Sequence, residues 1–470
     1  MENAGLKSVV LLKEQLWGGT VPPGIVFVCG KGNNGGDALV MARQCLMDGA
    51  TDLTVVLAAG EPKAGSDPAV NLSLCRALGI KILALEQERS EVMAAIHCAR
   101  WLVDGVAGTG LEGPLRAPLD GVVAAMNESR AYTIAVDVPS GVGDGFRAGF
   151  PAVRAGLTLT MGLPKQCLYL PHARPLCGKI VVVPLGFPPA LTEDPTIPGQ
   201  ILEEGDYTRL FPEIPAEAHK NRRGHLAVFA GSPGTTGAAW LCATAAARAR
   251  TGLVTVFLGP EEYAVLAGKF SSVMVRPWDS ARWDPADWSR YSALLVGPGW
   301  GRSEQRAQWL RRLLTLGLPG VIDADGLSLI GTETVNLAGW VLTPHPGEFA
   351  VLSGVARDKI LEDPVAHALA VSRKLNAVVA LKGACTCIAE PQGQFWIYDG
   401  MNAALGTGGS GDVLSGIIAA GLSQGMTPLE AALAGVSLHG RIGRIARSRK
   451  GWFLAEDMLP LISKVLGHGR

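Results

Sequence analysis

The chain has 470 residues, with 42 Lys+Arg and 42 Asp+Glu, so its formal net charge is zero. That balance argues against a basic nucleic-acid binder and against an acidic disordered tail. The length implies two or three domains at about 100–200 residues each, and 48% hydrophobic residues suit globular cores. Glycine is the departure, at 60 residues. Without a G-X-Y period, these glycines belong in turns or in loops that approach a ligand closely.

In chain order, apolar runs rich in β-formers occur at 24–29, 53–57, 101–103, 133–136, 157–160 and 180–183, with helical patterns between most of them, as at 38–47 and 122–126. Continuous apolar strands alternating with helices predict a parallel sheet covered on both faces. The proline-rich stretch 186–200 (G-F-P-P-A-L-T-E-D-P-T-I-P-G-Q) reads as a boundary. The expected division is therefore a first domain at 1–190, a linker at 191–200 and a second domain at 201–470. Strand-like runs then resume at 226–230, 253–257, 293–296, 321–322, 341–342 and 377–381, and helical patterns at 238–249, 305–316, 413–422 and 430–438. No short repeat is present, which excludes a solenoid.

The nine cysteines are scattered, with no C-x-x-C, and Cys385 and Cys387 are too close for the usual zinc spacing. They read as reduced thiols of a cytoplasmic protein. No signal peptide is expected at the start. The uncharged stretch 224–247 is broken by G-S-P-G-T-T-G, so it reads as strand, loop and helix rather than a membrane span.

The run V-F-V-C-G-K-G-N-N-G-G-D-A-L-V (26–40) joins a strand to a helix. Glycines before a helix N-terminus offer free N–H groups and the positive dipole end to a phosphate. Gly30, Gly32 and Gly35 satisfy G-x-G-x-x-G, with Asp52 near the usual acidic position, although a tight turn with no ligand has the same pattern. Asn33, Asn34 and Asp37 make the segment unusually polar, as if to hold a cation and a polar ligand. V-D-G-V-A-G-T-G (103–110) and A-V-D-V-P-S-G (135–141) end two further strands. In an open parallel sheet these ends converge, so Asn34, Asp104, Asp137 and Ser140 are expected together, as oxygen ligands for a hard cation or as acid–base groups. Capping and turn formation are the alternatives for Asp104 and Asp137.

In the second half, L-G-T-G-G-S-G-D-V-L-S-G (405–416) places four glycines within six residues before an apolar helix beginning near Asp412. Such a loop forms an anion nest, and Asp412 is placed to accept a proton from a hydroxyl beside a phosphate chain. The helix dipole predicts a low pKa for Asp412, and an ordinary N-cap is the alternative. Lys382 follows a strand and precedes Gly383, as a phosphate clamp or a surface lysine. His345 lies between two prolines in T-P-H-P-G-E (343–348), and Asp323 and Asp325 end a strand in V-I-D-A-D-G (321–326), for magnesium, a polar ligand or capping.

G-K-G-N-N-G-G-D, V-D-G-V-A-G-T-G-L and V-D-V-P-S-G, in this order, resemble the epimerase domain of NAD(P)H-hydrate repair enzymes. The resemblance implies that Asn33, Asn34, Gly35, Gly36, Asp37, Gly108, Thr109, Gly110, Leu111, Glu112, Gly113 and Pro114 hold the substrate. It implies that Asn34, Asp104 and Ser140 bind potassium and that Asp137 is catalytic, with Lys165 in G-L-P-K a further candidate. Ala38 stands where the family usually has glycine. Met1-Glu-Asn-Ala-Gly matches the middle of a family segment, which implies that a first helix is missing. H-K-N-R-R-G-H, A-G-S-P-G-T-T-G-A, V-G-P-G-W-G, D-A-D-G-L, T-P-H-P-G-E, A-L-K-G-A and G-T-G-G-S-G-D-V-L-S-G resemble the ADP- or ATP-dependent dehydratase domain of the same enzymes, which is ribokinase-like. By that resemblance Ala238, Gly301, His345 and Asp412 contact the hydrate, and Lys382, Gly383, Ala384, Cys385, Thr386 and Gly411 the adenine nucleotide with its magnesium. Gly326 and Ser328 depart from the family's D-A-L-N pattern.

The implied protein is α/β, a Rossmann-like parallel-sheet domain followed by a ribokinase-like one. It would epimerise the R and S hydrates of NADH and NADPH (NADHX and NADPHX) and dehydrate the S form at the expense of ADP or ATP. Homo-oligomers are expected, and no nucleic-acid or membrane partner. A ribokinase-like small-molecule kinase and a noncatalytic or hydride-transferring pyridine-nucleotide protein are the competing readings.

Overall fold

The computed structural model describes residues 1–192, 194, 196–278, 284–331 and 335–467. The chain forms two compact units, Met1–Thr196 and Ile197–Arg470. Within the expected linker, 193 and 195 lie outside the described residues, as do 468–470 of the expected second domain, while Gly199 and Gln200 already belong to a strand of the second unit.

The first unit has seven parallel strands: β1 (Ile25–Cys29), β2 (Leu53–Leu57), β3 (Lys81–Ala84), β4 (Trp101–Gly105), β5 (Tyr132–Val136), β6 (Leu157–Met161) and β7 (Lys179–Val183). The order β3-β2-β1-β4-β5-β6-β7 reverses direction between β1 and β4, which opens a crevice at their carboxyl ends. Helices α1 (Glu2–Gln15), α2 (Asn33–Met47), α3 (Asp67–Ala77), α4 (Arg89–Cys98), α5 (Leu119–Glu128) and α6 (Pro189–Thr192) complete the unit. β1 is buried along its whole length because both its faces are covered. Phe27 joins Val9, Leu12, Leu39 and Leu72 of α1–α3 on one face, while Val26 and Val28 join Val92, Ile96 and Val122 of α4 and α5 on the other. The M-E-N-A-G segment lies at the start of α1, which Glu2 ties to Arg43 of α2 by an ion pair.

Two expectations change here. The N-N-G-G-D segment forms the first five residues of α2 rather than a loop before it. Asp52 is exposed and precedes β2, whose first residue pairs with the first residue of β1. It therefore lies at the amino edge of the sheet, opposite the Gly30 turn, and is not the acidic residue of a dinucleotide fingerprint.

The second unit holds ten strands: β8 (Gly199–Ile201), β9 (His225–Phe229), β10 (Leu253–Leu258), β11 (Met274–Pro277), β12 (Ala293–Val296), β13 (Gly320–Ile322), β14 (Trp340–Leu342), β15 (Val378–Leu381), β16 (Cys385–Ala389) and β17 (Phe395–Asp399). Their order is β11-β10-β9-β12-β13-β14-β15-β16-β17-β8, parallel except where β16 pairs with β15 and β17. Its helices are α7 (Tyr207–Leu210), α8 (Thr236–Arg248), α9 (Pro260–Leu266), α10 (Glu304–Leu314), α11 (Asp325–Ile330), α12 (Pro346–Ser353), α13 (Arg357–Glu362), α14 (Pro364–Leu375), α15 (Ser410–Ser423), α16 (Pro428–Lys450) and α17 (Ala455–Gly467). One sheet face packs on α8, α15, α16 and α17 through alanine-rich surfaces, with Gly416 of α15 close enough to α8 that a Cβ there would lie 2.2 Å from the Cys242 carbonyl oxygen. An aromatic cluster lies at β9, β10 and α10, where Phe229 stacks on Phe257 at 4.9 Å and the buried Trp300 and Trp309 lie beside Phe229.

Candidate active sites

In the first unit, the β1–α2 turn meets the β4 end at backbone contact distance. A Cβ on Gly30 would lie 2.0 Å from the Val106 carbonyl oxygen, and one on Gly35 would lie 2.0 Å from that of Gly30. Only glycine fits there. This closeness lets Asn34 Nδ2 donate to the Ala107 carbonyl at 2.9 Å. Asp104, fully buried within β4, accepts from Ser140 Oγ at 2.5 Å and Ser140 N–H at 2.8 Å. Ser140 Oγ in turn accepts from Ala107 N–H at 2.8 Å. Asn34, Asp104 and Ser140 thus share one buried network around Ala107. Burial pushes the Asp104 carboxyl up to about 6, against the pull of its Ser140 hydrogen bonds. Asn34 Oδ1 is buried with no hydrogen-bond partner among the described residues.

Asp137 stands apart from that network. It follows β5 with φ 64, and its Oδ1 accepts from Met161 N–H at 3.0 Å and Lys165 Nζ at 2.5 Å. Asp37, the fifth residue of α2, is pushed up to about 6 by burial, and the Asp137 charge adds to the rise. Asn33 is exposed, whereas Gly35 and Gly36 are buried. Of the 108–114 loop, Gly108 lies against Asn34, where a Cβ would be 3.4 Å from the Asn34 Cβ. Thr109, Gly110, Glu112, Gly113 and Pro114 are exposed and Leu111 half-buried.

In the second unit, the carboxyl ends of β13, β14 and β15 deliver Asp323, His345 and Lys382 to one cavity of about 800 Å³, and α15 adds Asp412. Gly409 caps that helix at φ 88, so Asp412 stands in the first turn and is not the N-cap. Gly411 lies so near Lys382 that a Cβ would sit 3.2 Å from Nζ. Asp323 is 1% exposed and its Oδ1 accepts from Lys382 Nζ at 2.9 Å. Burial lowers the proton affinity of Lys382, but Asp323, Glu348 and Asp412 together outweigh it and raise its pKa.

The dipole-based expectation for Asp412 is overturned. Burial, followed by the Asp323 charge, pushes its carboxyl up to about 7, and Lys382 only partly offsets them. A helix N-terminus worth about 1 kcal/mol at most surface sites does not compete with desolvation of this carboxyl.

Gly383, Ala384, Thr386 and Gly411 line the same cavity, but Cys385 does not. Cys385 opens β16 and donates its thiol to Asp399 Oδ1 at 3.6 Å. His345 lines the cavity and also caps α12, where Nδ1 accepts from Gly347 and Glu348 N–H while Glu348 bonds back to the His345 N–H. Ala238 and Gly301 are not among the lining residues. They lie where the loops after β9 and β12 meet: Thr235 Oγ1 donates to the Gly299 carbonyl at 2.7 Å, and Gly301 N–H to Asp325 Oδ2 at 2.8 Å. Asp325 also holds Arg302, so its carboxylate ties a loop rather than facing the cavity.

The sequence reading missed His439, Glu348, Asn402 and Arg447. Half-buried His439 lines the cavity from α16 and has its pKa lowered to about 4 by desolvation, and its Nε2 lies 3.1 Å from Ser410 Oγ. Asn402 and Arg447 line the same cavity, joined at 3.2 Å. The β16–β17 hairpin that brings Asn402 there was signalled by P-Q-G-Q between the β-rich runs C-T-C-I-A and F-W-I-Y-D.

A family model described as NAD(P)H-hydrate dehydratase matches residues 226–464, and one described as YjeF-related protein N-terminus matches 1–167. A bifunctional NAD(P)H-hydrate repair enzyme of Moorella thermoacetica is 36% identical, covering 99% of this chain and 92% of that protein. A solved ADP/ATP-dependent NAD(P)H-hydrate dehydratase from Bacillus subtilis, co-crystallized with ATP/Mg2+, is 28% identical with a TM-score of 0.53, covering 57% of this chain and 98% of the other. A ribokinase-like superfamily protein from Enterococcus faecalis, 23% identical with a TM-score of 0.54, covers 58% of this chain and 97% of its own and shares the fold. Among the described residues no helix is long and apolar enough to cross a membrane. With both family models in sequence order and near-complete coverage of its relatives, the chain belongs to the bifunctional NAD(P)H-hydrate repair enzymes.

Proposed function

We propose that the first unit interconverts the R and S hydrates of NADH and NADPH, and that the second dehydrates the S form using ADP or ATP. The observation that carries the second half is the joining of Asp412, Lys382 and Asp323 in one cavity. Hydroxide leaves a ring poorly, and phosphate leaves well. Asp412, its carboxyl at about 7, takes the proton from the hydrate hydroxyl as that oxygen bonds to the terminal phosphorus. The P–O bond to the nucleotide breaks and the nucleotide leaves one phosphate shorter. The ring-nitrogen lone pair then expels inorganic phosphate, and loss of a proton from the neighbouring ring carbon restores the dihydronicotinamide. Lys382 and the N–H groups of the Gly409–Asp412 turn stabilise the phosphoryl charge.

Magnesium bound with the nucleotide would screen the phosphate charge in the cavity lined by Asp323, Lys382 and Asp412. In the first unit Asn34 Oδ1, which has no hydrogen-bond partner among the described residues, the Asp104 carboxylate and the Ser140 hydroxyl would hold potassium, since all are oxygen donors suited to a hard cation. It would neutralise Asp104 beside the substrate. Asp137 would be the acid–base carboxylate there, with Asn33–Asp37 and the 108–114 loop around the substrate.

The test is to give the protein mixed R and S hydrates with ADP or ATP, and to follow dihydronicotinamide absorbance and inorganic phosphate together. Recovery of absorbance with one phosphate per hydrate, including R hydrate faster than in buffer alone, is expected. A stable phosphorylated product would establish a kinase instead.

A further inference from the structure

The first unit places a cation against the carboxylate assigned to epimerisation. Lys165 follows β6 in G-L-P-K, and Pro164 limits the backbone just before it. Its side chain is only partly exposed, at 24%, and that of Asp137 is 17% exposed. Lys165 Nζ donates to Asp137 Oδ1 at 2.5 Å and to the Met161 carbonyl at 2.6 Å. Met161 N–H donates to the same Oδ1 at 3.0 Å. Oδ1 is therefore held from two sides, while Oδ2 receives no hydrogen bond among the described residues. The backbone under this carboxylate is itself constrained. Asp137 has φ 64, its N–H donates to the Leu159 carbonyl at 2.8 Å, and few non-glycine residues adopt that region without surrounding support.

The arrangement has no evident use in packing. An ion pair at this depth is weak evidence for stability, because desolvation offsets its attraction. Strained backbone and a half-buried ion pair at a strand end, on the ligand-binding edge of a parallel sheet, are features of sites.

Resting on the epimerase reading of this unit, we propose that Lys165 is a positioning residue for Asp137. It clamps Oδ1 so that the remaining oxygen, Oδ2, faces the hydrate in one orientation and handles its proton. Asp37, from α2, is near enough to feel the Asp137 charge. The contribution of Lys165 is then to kcat through Asp137, not to substrate affinity.

The test uses the full chain and purified R hydrate, with the buffer rate subtracted. Nucleotide-dependent turnover of S hydrate serves as an internal control of folding in the second unit, and melting of the first unit is followed alongside. Lys165→Met is expected to lower the epimerisation kcat at least 10-fold with KM within about 2-fold, and Lys165→Arg, which can still grip a carboxylate, to recover much of it. In the Asp137→Asn background Lys165→Met should cost nothing further, because the residue it positions is gone. An unchanged kcat in Lys165→Met, a rise confined to KM, or a further loss on top of Asp137→Asn would each overturn the proposal. A loss that follows melting of the first unit and that Lys165→Arg does not recover would do the same. If the unaltered chain epimerises R hydrate no faster than buffer, the epimerase reading itself falls. A fast unaltered chain with an equally fast Lys165→Met removes only the role of Lys165.

Discussion

Asp323 Oδ1 and Lys382 Nζ lie 2.9 Å apart at the ends of β13 and β15, and the pair lines the same cavity as Asp412 in the second unit. The carboxylate and the ammonium act on Asp412 in opposite directions, and burial adds to the carboxylate, so the balance leaves Asp412 at about 7. A base poised there is half-ionised at neutral pH and still a fair proton acceptor.

Dehydration of S hydrate at saturating nucleotide should therefore rise with pH through about 7 and level off above it, since only ionised Asp412 accepts the hydroxyl proton. Initial rates of absorbance recovery between pH 5.5 and 8.5 check this. A flat profile would remove Asp412 as the base.

Asp412→Asn should lower dehydration by roughly 10³-fold or more and leave R-to-S epimerisation unchanged. It should also raise the melting temperature of the second unit. The folded pKa lies above the unfolded value, so ionisation of Asp412 costs stability that accumulates from about pH 4 to about 7. The gain from the amide should be present at pH 7.5 and vanish near pH 4. Calorimetry at the two pH values decides it.

Lys382→Met should reduce nucleotide-dependent turnover at least about 100-fold. It should also destabilise the second unit by about 3–5 kcal/mol, because Asp323 is left buried without its cation. Adding Asp323→Asn should restore most of the stability and none of the activity, as read by urea unfolding and phosphate release.

Gly35→Ala places a Cβ 2.0 Å from the Gly30 carbonyl oxygen. It should destabilise the first unit by on the order of 3 kcal/mol and abolish epimerisation, with dehydration of S hydrate preserved. Limited proteolysis should then cut within residues 1–196 first.

Replacing potassium by a bulky organic cation should slow epimerisation several-fold, and Asn34→Ala should remove that sensitivity, because it deletes the oxygen that has no partner among the described residues. Initial rates on R hydrate at constant ionic strength measure both.

The strands that are apolar along their whole length, such as β1 and β12, were legible because burial on both faces leaves no alternation to confuse. β3 and β11 escaped notice: Lys81 and Met274 are exposed edge residues, and short edge strands carry little apolar signal. The glycine loops were legible for a different reason. Close backbone approach admits no other residue, so the requirement is written in the residue type, as at Gly30 and Gly35. Asp412 was legible as a position but not as an acid, because the local helix argues for a low pKa, while the burial and the Asp323 and Glu348 charges that reverse it come from tertiary packing. His439 and Arg447 lie on an otherwise ordinary long helix, and only the docking of α16 on the sheet brings them to the cavity.

By itself, then, the sequence determined the α/β class, the order of the two units and the glycine turns that phosphate and backbone demand, since each is a local pattern. The tertiary structure decided the pairings, Lys165 with Asp137 and Lys382 with Asp323, the orphaned Asn34 oxygen and the proton affinity of Asp412. Those depend on charges and desolvation brought together from strands and helices far apart in the chain, and electrostatics of that kind leaves no local mark.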